Sequence, residues 1–304
     1  MGPLLCLLSA VCFGAMAIFG KLAYNAQVDV GDLLLIRFAI AAALLLVVAG
    51  ATGALRGLPR RSVAAGLAMG GIGYATQSGL FFGALERMDA SLLALILYVY
   101  PALVMVGAIA LGRERASTRR IAALLIASVG TALVLGGAAS GSLNAVGTAM
   151  GFGAALAYTL YILAGDRVGQ GMPPLALTAL VCTGATCTFA LASAVRGGPN
   201  LTFGAAGWTW LIAIALISTV AAILLFFAGL NRVGPSTASI LSTLEPVVTV
   251  TLAATAFNES LGTVQLFGGA LVLSAVAVIQ WPGRRRQAST LNGSCSASNL
   301  SSLA

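Results

Sequence analysis

The sequence has 304 residues, of which 59% are hydrophobic and only 8% are charged. Soluble domains carry about 25% charged residues, so this composition excludes an ordinary soluble protein and indicates a chain that lies mostly in a membrane. The formal net charge of +8 comes largely from arginines in short segments between apolar stretches, which indicates membrane orientation and not nucleic-acid binding. The chain has no histidine, so a histidine-ligated metal site is excluded, and we expect neither a metal nor a cofactor.

Ten apolar stretches, separated by charged or turn-forming residues, follow one another along the chain. They lie at 3–24, 32–51, 63–85, 91–111, 119–138, 146–165, 174–195, 207–229, 236–257 and 263–281. A helix of about 20 residues crosses a hydrocarbon core of about 30 Å. None of them alternates like a barrel strand, so we predict an all-α membrane protein with ten transmembrane helices.

The second half of the chain repeats the first at an offset of 145 residues. Residues that match in one ungapped register include Phe82, Leu85, Arg87, Ser91 and Pro101 with Phe227, Leu230, Arg232, Ser236 and Pro246, and Glu114 with Glu259. Five spans in each half mean that the second copy enters the membrane from the opposite side. We therefore predict an inverted repeat with domains at 3–138 and 146–281.

The arginines predict the orientation of the chain. Loops on the side of the N-terminus carry twelve arginines, and loops on the other side carry two. Positively charged loops stay in the cytoplasm, so both termini should be cytoplasmic. The excess of arginine over lysine suggests a GC-rich bacterium, and hence the inner membrane. The polar segment 282–304 should be a disordered cytoplasmic tail.

Glu245 lies near the middle of the ninth span and is followed directly by Pro246. A carboxylate at the bilayer centre costs about 2.5–3.5 kcal/mol, so it should face a cavity or a structural partner on a neighbouring helix. Proline removes one helical hydrogen bond and kinks the span. Burial favours the protonated form of a carboxyl group, which makes Glu245 a candidate for proton coupling or for pairing with a substrate amine.

Other polar and aromatic side chains collect at the same depth in the third, fourth, eighth and ninth spans. With Glu245 they form the predicted substrate site: Tyr74, Gln77, Ser78, Phe81, Tyr98, Ser218, Thr219, Ser239 and Ser242. Singly, a serine or threonine in a membrane helix usually bonds its own backbone. Because these four spans are related by the repeat, we expect the whole set to converge on a common cavity.

A second group of residues is predicted to form gates or structural contacts. These residues are Lys21, Arg37, Pro101, Glu114, Pro246 and Glu259. For Arg37, a structural ion pair with Asp29 or Asp32 and a place at the outer gate are equally consistent with the pattern. The two glutamates stand where the next helix begins, and a carboxylate there is favourable.

The segments YPALVMVGAIALGRERASTRRIAALLIASVGTALV and LEPVVTVTLAATAFNESLGTVQLFGGALVLSAVAVI resemble the paired EamA domains of the drug/metabolite transporter superfamily. Pro101, Gly112, Glu114 and Gly130 fit the family pattern in the first copy. In the second copy Pro246, Glu259, Gly268 and Gly269 fit it, although Asn258 and Ser260 depart from it around the glutamate.

The resemblance implies a secondary transporter, most often an exporter of amino acids, related metabolites or drugs, with a central substrate cavity between the halves. The lipid bilayer and a small-molecule substrate are the partners we expect, and a monomer is plausible. A nucleotide-sugar or phosphorylated-metabolite exchanger, a passive channel or scramblase, and a membrane enzyme are the alternatives. Exchange of phosphorylated substrates needs several cavity cations, and an enzyme needs an acid–base pair at depth.

Overall fold

The computed structural model describes residues 1–85, 87, 90–136, 144–257 and 262–280. Regular structure in these ranges is helical, with no β-strand, so the predicted all-α class is confirmed. Glu259 and the predicted tail 282–304 lie outside the described residues.

The helices group into ten spans, five in each half. The first half comprises Gly2–Asn25, Val30–Ala51, a third span of Arg60–Ala68, Met69–Tyr74 and Ala75–Leu85, a fourth span of Ala90–Leu97 and Tyr100–Ala110, and Thr118–Gly136. The second half comprises Ala145–Gly169, Pro174–Val195, an eighth span of Ala205–Ala213, Ile214–Ala221 and Ala222–Val233, a ninth span of Pro235–Ser242 and Leu244–Phe257, and Thr263–Gln280.

Eight helices in the described ranges are long and apolar enough to cross a membrane. The third and ninth spans, 60–85 and 235–257, complete the ten as interrupted helices. The ninth span breaks at Thr243, three residues before Pro246, and the fourth breaks at Tyr98 and Val99, just before Pro101. Proline cannot donate the helical hydrogen bond to the preceding turn, which accounts for a break at each place.

The irregular helical segments occupy equivalent places in the two halves. The third span has a π-helical segment at Met69–Tyr74, and the eighth has one at Ile214–Ala221. Their first residues are 145 positions apart, as are Tyr98 and Thr243 at the two helix breaks. The repeat therefore extends from the sequence to the details of the backbone.

Contacts between the spans follow the same symmetry. The first span packs against the eighth and ninth, and its equivalent, the sixth, packs against the third and fourth. The second span packs against the seventh, and the fifth against the tenth. A Cβ atom at Gly130 would lie 2.8 Å from the carbonyl oxygen of Gly268, so the fifth and tenth spans cross backbone to backbone.

Candidate functional site

A cavity lies where the first four spans meet the sixth and the ninth. Aromatic side chains dominate its wall, with one acid, one arginine and two small polar groups among them. The lining residues are Phe13, Met16, Arg37, Tyr74, Gln77, Ser78, Phe81, Phe82, Leu97, Tyr98, Tyr100, Tyr158 and Glu245. Both halves contribute, so the cavity lies at the contact between them.

Six residues of the predicted site line this cavity: Tyr74, Gln77, Ser78, Phe81, Tyr98 and Glu245. The first four follow one another at helical spacing in the third span, beginning at the last residue of its π-helical segment. Helical spacing places them on one face, and that face is directed at the cavity. Tyr98 lies in the break of the fourth span.

The other four predicted residues are buried but do not line the cavity. Thr219 donates a hydrogen bond to the Ile214 carbonyl at 3.0 Å, within its own helix. The Ser239 and Ser242 hydroxyls also donate to carbonyls of their own helix, at 3.0 Å each. The Ser218 hydroxyl is buried without a hydrogen-bond partner in the described part of the chain. Backbone bonding thus accounts for three of the four in this conformation.

Glu245 is the second residue of the helix that begins after the break at Thr243. Its carboxyl group lines the cavity and forms a side-chain hydrogen bond with Tyr98. Within the described residues no basic side chain forms an ion pair with it. The acid therefore faces the cavity and also has a hydrogen-bond partner on the neighbouring fourth span, so the structure combines the two situations expected from the sequence.

Arg37 is almost completely buried, with 1% of its surface exposed, and its guanidinium group also lines the cavity. One Nη atom lies 2.9 Å from the Met16 sulfur, and the guanidinium carbon lies 4.5 Å from the centre of the Phe38 ring. These contacts leave its positive charge without a carboxylate partner among the described residues. Such a charge is costly to bury, which marks Arg37 as a functional candidate.

Of the two alternatives for Arg37, the ion pair with Asp29 or Asp32 is not formed. Asp29 accepts a hydrogen bond from the Gly31 N–H at 3.0 Å and caps the helix, while Asp32 accepts one from the Asn200 N–H at 3.3 Å. Both carboxylates are used at the start of the second span, whereas Arg37 points into the interior.

Tyr74 interacts with both charged groups of the cavity. Its hydroxyl interacts electrostatically with both Arg37 and Glu245. Its ring packs edge-on against Phe38 and Tyr161, with ring centres 5.3 and 5.2 Å apart. These aromatic contacts fix the ring in place, and Tyr74, the acid and the arginine line one cavity.

Sequence reasoning missed part of the lining. Tyr158 in the sixth span lines the cavity and packs against Tyr100 at a ring-centre distance of 4.6 Å. Tyr100, Phe13, Met16, Phe82 and Leu97 complete the missed part of the wall. The spacing of Tyr158 and Tyr161 in the middle of an apolar span was the available signal, because a tyrosine at that depth needs a polar partner.

The cavity volume in this conformation is about 70 Å³. One water molecule occupies about 30 Å³, and sites for small organic ligands usually have volumes of about 300–1,000 Å³. The cavity therefore has room for about two waters, and a substrate needs a wider conformation.

The predicted gate residues occupy several different places. Glu114 forms an ion pair with Arg120 at 3.0 Å, and the neighbouring Arg113 pairs with Asp166 of the sixth span at 3.4 Å. Lys21 is exposed near the end of the first span. The structure describes no group of three or more cysteine, aspartate or glutamate side chains that could hold a metal ion.

Comparison with known proteins gives consistent results. The family model described as "EamA-like transporter family" matches residues 1–136 and 145–281. An "Uncharacterized transporter" of Archaeoglobus fulgidus is 27% identical over 202 residues, covering 66% of this chain and 70% of that protein. A solved crystal structure superposes with a TM-score of 0.76 at 20% identity over 92% of this chain and 97% of the other, a likeness of fold. The two matches of the family model cover most of the sequence, so the chain belongs to the EamA-like transporter family.

Proposed function

We propose that this protein is a secondary active transporter that moves a small zwitterionic metabolite, such as an amino acid or an amphipathic relative of one, by alternating access. Membership of a transporter family supports the general function. One observation carries the substrate class: an arginine and a glutamate, each without an ionic partner among the described residues, line the same cavity.

Opposite charges in one apolar cavity suit a substrate that carries both. The Arg37 guanidinium would bind a carboxylate with two parallel hydrogen bonds, and Glu245 would accept hydrogen bonds from an amine. The surrounding aromatic wall would contact the apolar part of the substrate. A nucleotide sugar needs several cations, and among the described cavity residues Arg37 is the one cation.

The small cavity volume supports alternating access rather than an open pore. A cavity of about 70 Å³ does not accommodate an amino acid, so the described conformation is contracted. Inverted repeats provide the mechanism for opening, because two related halves can rock about a site at their contact. The paired helix breaks and π-helical segments supply equivalent points at which the spans can bend.

Glu245 is also the proposed proton-coupling residue. A nearby cation stabilises the ionised form of a carboxyl group, and this effect is stronger when the carboxyl group is shielded from water. The protonation state of a buried carboxyl group therefore responds to the arrival or departure of a cation. Proton uptake by Glu245 would release the substrate amine, and proton loss would bind it. Tyr98, which hydrogen-bonds to the carboxyl group, would hold it in position in both states.

The arginine distribution supports a bacterial inner-membrane location with cytoplasmic termini, and the family resemblance supports export. In that orientation the loop with Arg113 and Arg120 faces the cytoplasm. The proposal needs one chain only, since all lining residues of the cavity belong to it.

Purified protein in liposomes tests this proposal. We expect an imposed pH gradient to drive accumulation of a neutral amino acid, and the corresponding amine or carboxylate alone to compete at least tenfold more weakly. A Glu245→Gln variant, which mimics the protonated carboxyl group, should lose gradient-driven accumulation and bind the substrate more weakly than the native protein. If that variant still accumulates substrate in response to the pH gradient, Glu245 is not the proton-coupling residue. Substrate flux that shows neither saturation nor exchange would indicate a channel.

A further inference from the structure

A second pocket, which shares no lining residue with the substrate cavity, lies at the charged loop between the fourth and fifth spans. Its wall combines the loop between the fourth and fifth spans with Thr237 of the ninth span and Ile279 of the tenth. Its volume is about 560 Å³, several times that of the substrate cavity. Arg113, Arg115, Arg119 and Arg120 contribute four positive charges to the wall, and Glu114 contributes one negative charge.

The structure fixes several of these arginines without neutralising all of them. The Arg119 guanidinium donates hydrogen bonds to the carbonyls of Val278, at 2.8 Å, and Ile279, which end the tenth span. The carbonyls at a helix C-terminus supply only partial negative charge, so Arg119 keeps part of its positive charge and has no carboxylate partner among the described residues. Arg115 is exposed and pairs with no acid among the described residues. Arg113 and Arg120 are paired with acids and complete the wall.

Apolar side chains lie beside the charged pocket. Leu111 is 56% exposed just before the arginines, and Ile121 and Leu125, one turn apart on the fifth span, are 42% and 60% exposed. In a membrane-spanning chain such side chains face acyl chains. A ligand with a charged phosphate and an attached hydrocarbon chain would match both parts of this surface.

We propose that this pocket binds the phosphate group of an anion, with an anionic phospholipid as its source. Arg115 and Arg119 would contact the phosphate, and the acyl chains would lie against Leu111, Ile121 and Leu125. Arginine suits this role because its planar group donates paired hydrogen bonds to phosphate oxygens. Because the wall includes residues of both halves, the bound lipid would connect the first repeat to the second.

Binding of phosphatidylglycerol to the full-length protein in detergent tests the proposal, followed by native mass spectrometry and by the melting temperature. Phosphatidylcholine, which has no net charge, serves as the lipid control. We expect phosphatidylglycerol to bind and to raise the melting temperature, and phosphatidylcholine to do neither. Arg115→Gln should weaken phosphatidylglycerol binding about fivefold, as expected for loss of one arginine near an anionic headgroup.

Matched variants separate this site from general attraction to basic loops. Arg167→Gln removes an exposed arginine from the same side of the membrane and should leave binding unchanged. Ser117→Asp adds a negative charge within the pocket wall and should weaken binding as much as Arg115→Gln. Both changes avoid Arg119, whose hydrogen bonds to the tenth span also support the fold.

Glycerol 3-phosphate distinguishes the two sources of phosphate. If it raises the melting temperature as phosphatidylglycerol does, and Arg115→Gln weakens both, the pocket binds phosphate and a soluble anion is its source. If phosphatidylglycerol alone acts, the source is the lipid. Equal effects of the two lipids, or equal losses in Arg115→Gln and Arg167→Gln, would overturn the proposal.

Discussion

The two halves of this protein share a backbone but differ in chemistry. Their π-helical segments and helix breaks coincide at an offset of 145 residues. At that offset, however, Glu245 corresponds to Tyr100, and Arg37 corresponds to Cys182. The geometry is symmetric, and the charged groups of the cavity are not.

The cavity wall reflects this difference. Most of it comes from the first four spans, and Tyr158 and Glu245 are the residues of the second half that line it. Thr219, the counterpart of Tyr74, donates its hydrogen bond within the eighth span instead. Under the proposed alternating access, the repeated helix breaks would bend, and the residues that differ between the halves would bind the substrate.

The largest expected effect concerns a helix crossing at which the halves differ. A Cβ atom at Gly70 would overlap the backbone of Val181, whereas the equivalent position in the second half is Ala215. Gly70→Ala should therefore destabilise the fold by about 3 kcal/mol or more and reduce the yield of folded protein. Ala215→Gly should cost only about 1 kcal/mol. Similar melting temperatures of the two variants would show that the third and seventh spans do not cross closely.

The next largest effect concerns Arg37, whose equivalent position in the second half is the uncharged Cys182. Arg37→Met removes a buried charge that has no acidic partner among the described residues, so it should raise the melting temperature while weakening substrate binding more than tenfold. Cys182→Ala, at the equivalent position, should change binding less than twofold. A lower melting temperature with unchanged binding would make Arg37 structural. Thermal unfolding and substrate titration on the same samples provide both readouts.

Substitution of the proline at either helix break should have the same effect on the transport rate, because the two breaks are equivalent in the repeat. Pro101→Ala and Pro246→Ala each restore a donor for the preceding turn and should favour a continuous helix. We expect each to lower the turnover rate several-fold with little change in KM, because both halves must bend. Stopped-flow transport in liposomes measures this, and an effect confined to one proline would contradict a symmetric hinge.

The smallest effects should follow removal of the predicted hydroxyls outside the cavity. Ser218→Ala and Ser239→Ala should change substrate affinity less than twofold, because neither side chain lines the described cavity. Gln77 lies on the cavity wall, so Gln77→Ala should weaken substrate affinity about fivefold, the effect of one lost hydrogen bond. A larger loss of substrate affinity in either serine variant would show that the serine contacts substrate in another conformation.

The sequence predicted the fold closely because the length of an apolar run is set by the bilayer. The exact starts and ends of helices are harder to predict than the spans themselves, yet the predicted 174–195 and the helix Pro174–Val195 coincide. Pro101 and Pro246 indicated the helix breaks of the fourth and ninth spans. The π-helical segments share no local sequence signature, because Met69–Tyr74 contains three glycines whereas Ile214–Ala221 contains none.

The site was only partly predictable from the sequence. The position of a residue within a span indicates its depth in the membrane, but the sequence does not show which face of the helix points into the cavity. Tyr74 and Gln77 share a face at helical spacing, and that face meets the cavity. Ser239 and Ser242 lie at a similar depth but bond their own backbone. Arg37 was ambiguous because two aspartates lie near it in sequence, although both cap or bind elsewhere.

The central claim is that one cavity between two inverted halves opens to each side of the membrane in turn. Ser78→Cys in a background free of the native cysteines places a small thiol on the cavity wall, and Arg56→Cys places one on the exposed loop between the second and third spans. We predict that a membrane-impermeant thiol reagent labels position 78 from either side and that substrate prevents it, while position 56 is labelled from one side only and without substrate protection. Labelling of position 78 from one side only, or without protection by substrate, would contradict the account.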